Sequence, residues 1–139
     1  MASFDMDQEL ASVVKDADSP SWSVRAAAGR RLAVSPELAD VSEVLHRLLL
    51  DTQDTGVTQE TARALLERAD TPGLRAVLAA LARATSAGTA DQLSGELDWN
   101  PHWMTKDGTN RLTKQLGQLA ADDDAGVRSE AEQILKSLR

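Results

Sequence analysis

Apolar residues recur along this chain at intervals of three or four positions, and no segment alternates with a period of two for long enough to form a strand. Residues spaced in this way share one face of an α-helix. The sequence therefore predicts an all-α protein. The clearest stripes are Met6, Leu10, Val13 and Val14; Leu38, Val41, Leu45, Leu48 and Leu49; Leu74, Val77, Leu78 and Leu81; and Leu112, Leu116 and Leu119.

A second set of helices repeats with its own spacing. In three segments a valine is followed, four and eight residues later, by further positions on the same helical face. The copies are Val24, Ala28 and Leu32; Val57, Thr61 and Leu65; and Val127, Ala131 and Leu135. The first two valines are 33 residues apart and the last two are 70 apart, which indicates a helix pair recurring about every 35 residues.

Capping residues precede each copy. Asp54 and Asp124 lie three residues before their valines, where a carboxylate accepts the free N–H groups of a first helical turn. In the first copy, Ser19 is predicted to cap the helix and Pro20 to occupy its first position. The other helices are predicted to open at Pro36, at Pro72–Gly73 and at the turn 106–108.

One amphipathic helix pair cannot bury its apolar face alone, whereas stacked pairs bury a continuous core. We therefore expect a single domain, residues 1–139, built as a short α-solenoid of about four antiparallel helix pairs. The units are approximately 4–34, 36–70, 72–106 and 109–138. The alternative is a compact helical bundle in which the matching spacings are coincidence.

Two segments carry a more specific pattern, DSPSWSVRAAAGRRL and DDDAGVRSEAEQIL. The matching positions are Asp18, Val24, Arg25, Ala28 and Leu32, and Asp124, Val127, Arg128, Ala131 and Leu135. They resemble the second helix of HEAT-type repeats, in which an Asp-rich turn precedes Val-Arg and then Ala and Leu. The segment DTQDTGVTQETARALL is similar, but Thr58 stands where the arginine would be. The resemblance covers most of the chain as a pattern and implies a scaffold that usually binds proteins. HEAT-like folds also include a few enzymes and nucleic-acid binders.

The third unit breaks its own pattern. Leu93 and Leu97 are spaced as required, but the next core position is Pro101, and proline inside a helix costs about 3 kcal/mol. We expect Asn100 to cap a short new helix that begins at Pro101 and ends at Gly108. The third helix pair is therefore predicted to be degenerate.

Two of the three tryptophans lie at this break. One interpretation is that the large rings fill the gap left by the truncated helix. The other is that the break is a binding patch, since Trp and Met are enriched at the centres of protein interfaces. Both hold if one ring packs inward and the other outward. The candidate partner-binding residues are Asp98, Trp99, His102, Trp103 and Met104.

The net charge of −7 argues against a general nucleic-acid binder, because a phosphate backbone attracts Lys and Arg. The charge fits a basic protein partner, and the alternative is that it only keeps a small domain soluble. No apolar run approaches the roughly 18 residues of a membrane span, so no membrane partner is expected. The N-terminus shows no secretion signal, and we expect a cytoplasmic protein. The arginines on the second helices are expected to pair with neighbouring acids; they are Arg25, Arg30, Arg31, Arg63 and Arg128.

No residue set demands a chemical reaction. The chain has no cysteine, and it contains none of the motifs for phosphate, dinucleotide or zinc-protease sites. His102 with Asp98 and Asp107 nearby is a poor zinc set. Neither a metal nor a cofactor is predicted.

We therefore expect a non-catalytic protein-binding module, and more specifically a small acidic inhibitor or immunity-type protein that neutralises a basic protein. Two alternatives stay open. One is a HEAT-like nucleic-acid-processing or other enzyme that uses the Trp99–Trp103 segment. The other is a purely structural repeat segment of a larger assembly, in which case Met6, Leu10 or Leu138 would be exposed at the ends of the stack.

Overall fold

The computed structural model describes residues 2–138, and it describes side-chain surroundings for residues 8–138. This part of the chain contains α-helices and one short 3-10 helix but no strand, which confirms the all-α prediction. None of the described helices is both long and apolar enough to cross a bilayer. The α-helices are α1 (Ala2–Asp16), α2 (Trp22–Ala33), α3 (Leu38–Leu49), α4 (Thr55–Glu67), α5 (Thr71–Arg83), α6 (Ala87–Asp98), α7 (Lys106–Leu119) and α8 (Ala125–Ser137); the 3-10 helix is Pro101–Trp103.

Aspartate caps open α4 and α8 as predicted. The Asp54 carboxylate accepts a hydrogen bond from the N–H of Gly56 at 2.7 Å. The Asp124 carboxylate accepts from Gly126 at 2.8 Å and from Val127 at 3.1 Å. These bonds satisfy N–H groups that have no partner within the helix, so they fix where each helix begins.

The predicted start of α2 is wrong. The helix begins at Trp22, not at Pro20. The Ser19 hydroxyl accepts a hydrogen bond from the N–H of Ser21 at 3.1 Å and so forms a turn before the helix. The Ser19 carbonyl also accepts from the Arg25 guanidinium at 2.9 Å, which holds this residue outside the helix.

The predicted stripes of α3 and α7 are buried throughout, as are Leu93 and Leu97 of α6. Two predicted core positions are wrong. Val24 is 37% exposed because its neighbour Arg25 occupies the inward position of α2. Leu10 is also exposed, because α1 buries Val13 instead where it packs on α2. The predicted stripe position Met6 lies outside the described side chains.

A buried ion pair lies near the start of α2, where the sequence predicted that Val24 would be buried. The Arg25 guanidinium donates to the Asp51 carboxylate at 2.8 and 3.3 Å, and the two side chains are only 8% and 9% exposed. Asp51 also accepts from the N–H groups of Gln53 and Asp54 at 3.0 and 2.8 Å. Burial by itself raises the pKa of Asp51, but these hydrogen bonds outweigh it and lower the pKa overall. The pair therefore ties α2 to the α3–α4 loop.

Helix α2 packs closely on α4 because the residues between them are small. The Gly29 Cα lies against the Thr61 side chain, and a Cβ at position 29 would overlap the Thr61 hydroxyl. The hydroxyls of Thr58 and Thr61 are buried without a hydrogen-bond partner in the described residues. Close helix approach at this contact therefore depends on glycine and on small neighbouring side chains.

Three alternate helices pack in a row, α2 on α4 and α4 on α6, while α3 packs on α5. The last helix departs from this order, since α8 packs mainly on α5 and α7. This arrangement leaves a groove of about 330 Å³ between α6 and α8, lined in part by Leu97, Trp103 and Ile134. We call it the α6–α8 groove.

Candidate functional site

Helix α6 ends at Asp98 because Pro101 cannot continue it. The N–H of Trp99 closes the last turn on the carbonyl of Gly95 at 3.1 Å. Asn100 is buried, and its side-chain oxygen accepts a hydrogen bond from the N–H of His102 at 2.9 Å. Asn100 therefore caps the 3-10 helix that Pro101 opens, as the sequence predicts.

Trp103 is the inward tryptophan. Its ring is partly buried and packs against the hydrophobic core. Its indole N–H donates to the Leu97 carbonyl at 2.8 Å, and its own carbonyl accepts from the Thr109 hydroxyl at 2.7 Å. These bonds link the end of α6, the 3-10 helix and the first turn of α7. Trp103 therefore fixes the path of the segment.

Gly108 does not end the short helix, contrary to the prediction. It lies in the first turn of α7, which Thr105 caps by accepting a hydrogen bond from the Gly108 N–H at 3.0 Å. The Gly108 Cα lies against the backbone of His102, and a Cβ there would overlap the His102 carbonyl oxygen. Glycine is required for this close backbone approach and not for a helix end.

Four predicted site residues are exposed to solvent. Trp99 is 77% exposed and Met104 is 58% exposed, and Asp98 and His102 are exposed as well. Most large aromatic residues are largely buried, so an exposed tryptophan on a fixed backbone is unusual. The segment therefore displays one ring outward while Trp103 holds it from within.

Trp99 and His102 line a groove of about 520 Å³ at the ends of α4 and α6. We call it the Trp99 groove. Its other lining residues are Arg63, Glu67, Gln92, Gly95, Glu96, Asn100 and Pro101. Asp98 and Trp103 lie instead on the α6–α8 groove. The candidate residues are thus divided between two sides of the segment, and Met104 lines neither groove.

The Trp99 groove carries more acid than base. Arg63 donates to the Glu96 carboxylate at 3.3 and 3.4 Å. The positive charge of Arg63 therefore offsets the negative charge of Glu96. This hydrogen bond and the charges of Glu96, Glu60 and Glu67 raise the pKa of Arg63. The Glu67 carboxylate makes no ion pair or hydrogen bond within the described residues. The groove that Trp99 lines therefore also carries one carboxylate without an ion-paired partner in the described residues.

Comparisons of the chain with protein-family models, with curated proteins and with solved structures found no match.

Sequence reasoning missed Glu67 and Gln92 as members of this site. The signal that could have found them is the predicted repeat period of about 35 residues, because Arg63 on α4 and Glu96 on α6 are 33 residues apart. Residues one turn away from this pair, Glu67 and Gln92, belong to the same surface.

The predicted pairing of helix arginines with acids is confirmed for four of them. Arg25 pairs with Asp51, Arg30 with Glu60, Arg31 with Glu9 and Arg63 with Glu96. Arg128 differs, since it donates to the main-chain carbonyls of Asp122 and Asp123 at 2.6 and 3.0 Å.

Within the described residues, His102 does not lie in a cluster of three or more acidic or histidine side chains that could hold a metal ion.

Proposed function

We propose that this protein is a non-catalytic binding module that recognises another protein through Trp99 and the surface around it. The observation that carries the proposal is the outward Trp99 ring, 77% exposed, on a backbone fixed by Trp103 and Asn100. A rigid exposed aromatic side chain loses little conformational entropy on binding and buries a large area, which is why tryptophan dominates binding hot spots. Met104 is a second exposed apolar side chain of the same segment.

The packing order supports a HEAT-like interpretation of the scaffold. The row formed by α2, α4 and α6 fits the stacked second helices of such repeats, and α3 with α5 fits the stacked first helices. We infer a short solenoid whose third and fourth units depart from regular stacking. The departure coincides with the segment that carries Trp99.

Charge supports a protein partner over a nucleic acid. The exposed arginines Arg30, Arg31 and Arg63 each pair with a carboxylate, so they do not form an uncompensated basic surface. With a net charge of −7, the field of the molecule attracts a basic partner and repels phosphate. A small acidic protein of this kind fits an inhibitor or immunity-type role toward a basic protein.

The proposal is tested by affinity capture with matched tryptophan variants. Tagged wild-type protein, Trp99→Ala and Trp22→Ala are each incubated with extract of the source cells, and bound proteins are identified by mass spectrometry. Trp22 is the matched control because it is 50% exposed and lies at the start of α2, away from the Trp99 groove. We expect wild type and Trp22→Ala to retain the same basic protein and Trp99→Ala to lose it.

Equal recovery of every bound protein by all three forms would contradict the proposal. Retention on a DNA column that falls with added salt would favour the nucleic-acid alternative instead.

A second candidate function, as a structural segment of a larger assembly, is favoured by the exposure of Leu10 and Leu138. Exposed leucines on the first helix and directly after the last one are typical of repeat units that pack against further neighbours. Sedimentation of wild type and of a Leu10→Ser, Leu138→Ser double variant distinguishes this role, because self-association that depends on these two leucines would support it.

A further inference from the structure

We propose that the Trp99 groove receives an arginine side chain of the protein partner, with the guanidinium against the Trp99 ring and beside the Glu67 carboxylate. This inference rests on the proposed function and adds the chemistry of the group that is recognised. Three independent features of the groove favour a cation there.

The first feature is the pairing of an aromatic face with an acid. The exposed Trp99 ring and the Glu67 carboxylate both line the groove. A cation over a tryptophan face is attracted by the ring quadrupole, and the guanidinium of arginine is the side chain that most often does this. The planar group also donates hydrogen bonds to a carboxylate while it stacks on the ring. An arginine that enters the groove therefore meets an aromatic face and a carboxylate in the same lining.

The second feature is the pair of helix ends at the groove. Helix α4 ends at Glu67 and α6 ends at Asp98, so the carbonyl ends of both helices lie at this surface. The carbonyl end of a helix carries a partial negative charge that favours a cation within the last turn. The partial negative charges of the two helix ends have the same sign as the Glu67 carboxylate, so all three favour a cation.

The third feature is that the nearby arginines are already occupied. Arg63 is held by Glu96. Arg68 follows α4 directly, but its guanidinium turns away to donate to the carbonyls of Ala33 and Ser35 at 2.9 and 2.8 Å and pairs with Asp70 at 3.0 Å. Neither cation therefore forms an ion pair with Glu67, and the lining of the groove carries one more acid than base.

The experiment uses the full chain and a capped pentapeptide with a single arginine between glycines. Its control is the same peptide with citrulline, which keeps the shape of arginine but lacks the charge. Binding is followed by the indole N–H signals of the three tryptophans in two-dimensional NMR spectra. We expect the arginine peptide to shift the Trp99 signal with an affinity in about the millimolar range, and to leave the Trp22 signal unchanged.

Two variants test the groups that we assign. Glu67→Gln should weaken binding of the arginine peptide by about fivefold, whereas Glu132→Gln, which removes the same charge from an exposed position on α8, should leave it unchanged. Trp99→Ala removes the indole signal, so binding to this variant is followed by the backbone amide signal of His102. Binding of the arginine peptide to it should weaken by about tenfold.

The inference is overturned if the citrulline peptide shifts the Trp99 signal as strongly as the arginine peptide, or if Glu67→Gln and Glu132→Gln have equal effects. Its failure is distinguishable from failure of the proposed function. A partner captured through Trp99 with no preference for arginine would remove only this inference. Arginine binding together with capture that ignores Trp99 would remove the proposed function.

Discussion

Two tryptophans four residues apart differ in what holds them. Trp103 has a hydrogen bond from its indole N–H to the Leu97 carbonyl and packs on the core, whereas Trp99 caps the end of α6 through its backbone and leaves its ring in solvent. The two rings therefore contribute differently to the free energy of unfolding.

We expect Trp103→Ala to lower the free energy of unfolding by about 3 kcal/mol, because it removes packed ring area and a hydrogen bond. Trp99→Ala should change it by less than about 0.5 kcal/mol, as is usual for exposed positions. Chemical denaturation of both variants measures the difference. Equal destabilisation by the two substitutions would show that the Trp99 ring is part of the core.

At this scale the sequence predicted that one ring would point outward but could not say which. The spacing of Trp99 and Trp103 is the same as that of two core residues on one helical face, so periodicity alone treats them alike. What separates them is the 3-10 turn at Pro101, which changes the direction of the chain between them. Val24 was misplaced for a related reason, because the valine pattern does not show that its neighbour Arg25 reaches inward to Asp51.

At the scale of elements, the path of the chain between α6 and α7 depends on how closely α7 approaches the 3-10 helix before it. Gly108 allows the first turn of α7 to lie against the His102 carbonyl. Gly117 is a useful contrast, because a Cβ there would meet no atom within 4 Å.

Gly108→Ala should therefore lower the free energy of unfolding by about 2 kcal/mol, since the new methyl group overlaps a backbone carbonyl that cannot move without shifting the 3-10 helix. Gly117→Ala in the same helix should instead raise it by about 0.5 to 1 kcal/mol, through helix propensity alone. Thermal unfolding monitored by circular dichroism compares the two. Stabilisation by both substitutions would contradict the close approach.

Element positions were largely predictable from the sequence, because stripes and aspartate caps are local signals. The role of Gly108 was not. Glycine is typical of helix ends, and the sequence contains no sign that the carbonyl of His102, six residues earlier, occupies the space of its missing side chain.

At the scale of the whole molecule, long-range ion pairs attach the α7–α8 loop to α5. Arg75 donates to both carboxylate oxygens of Asp122 at 2.8 and 3.0 Å, and Arg83 pairs with Asp124. The hydrogen bond from Arg75, together with the N–H of Asp124, lowers the pKa of Asp122 below its ordinary value of 3.8. These contacts join residues 47 and 41 positions apart. Helical periodicity gives no information on them, so the packing of α8 on α5 was not predicted.

A lowered pKa in the folded state means that the contribution of Asp122 to stability is complete above about pH 4 and is lost as the pH falls through the folded-state pKa. We expect Asp122→Asn to lower the melting temperature by about 3 °C near pH 7, with a deficit that shrinks as the pH falls below about 4. Asp123→Asn is the control, because it removes the same charge from an exposed side chain with no ion pair in the described residues. A deficit in Asp122→Asn that stays constant with pH would argue against the ion pair.

Trp103 packs on the core and Trp99 does not, and this difference affects how such a surface can evolve. Trp103, Asn100 and Gly108 hold the backbone of this segment. The fold therefore does not depend on which side chain stands at position 99. Selection for a different partner can therefore act on this one position, and on the groove beside it, without first having to rescue the stability of the chain.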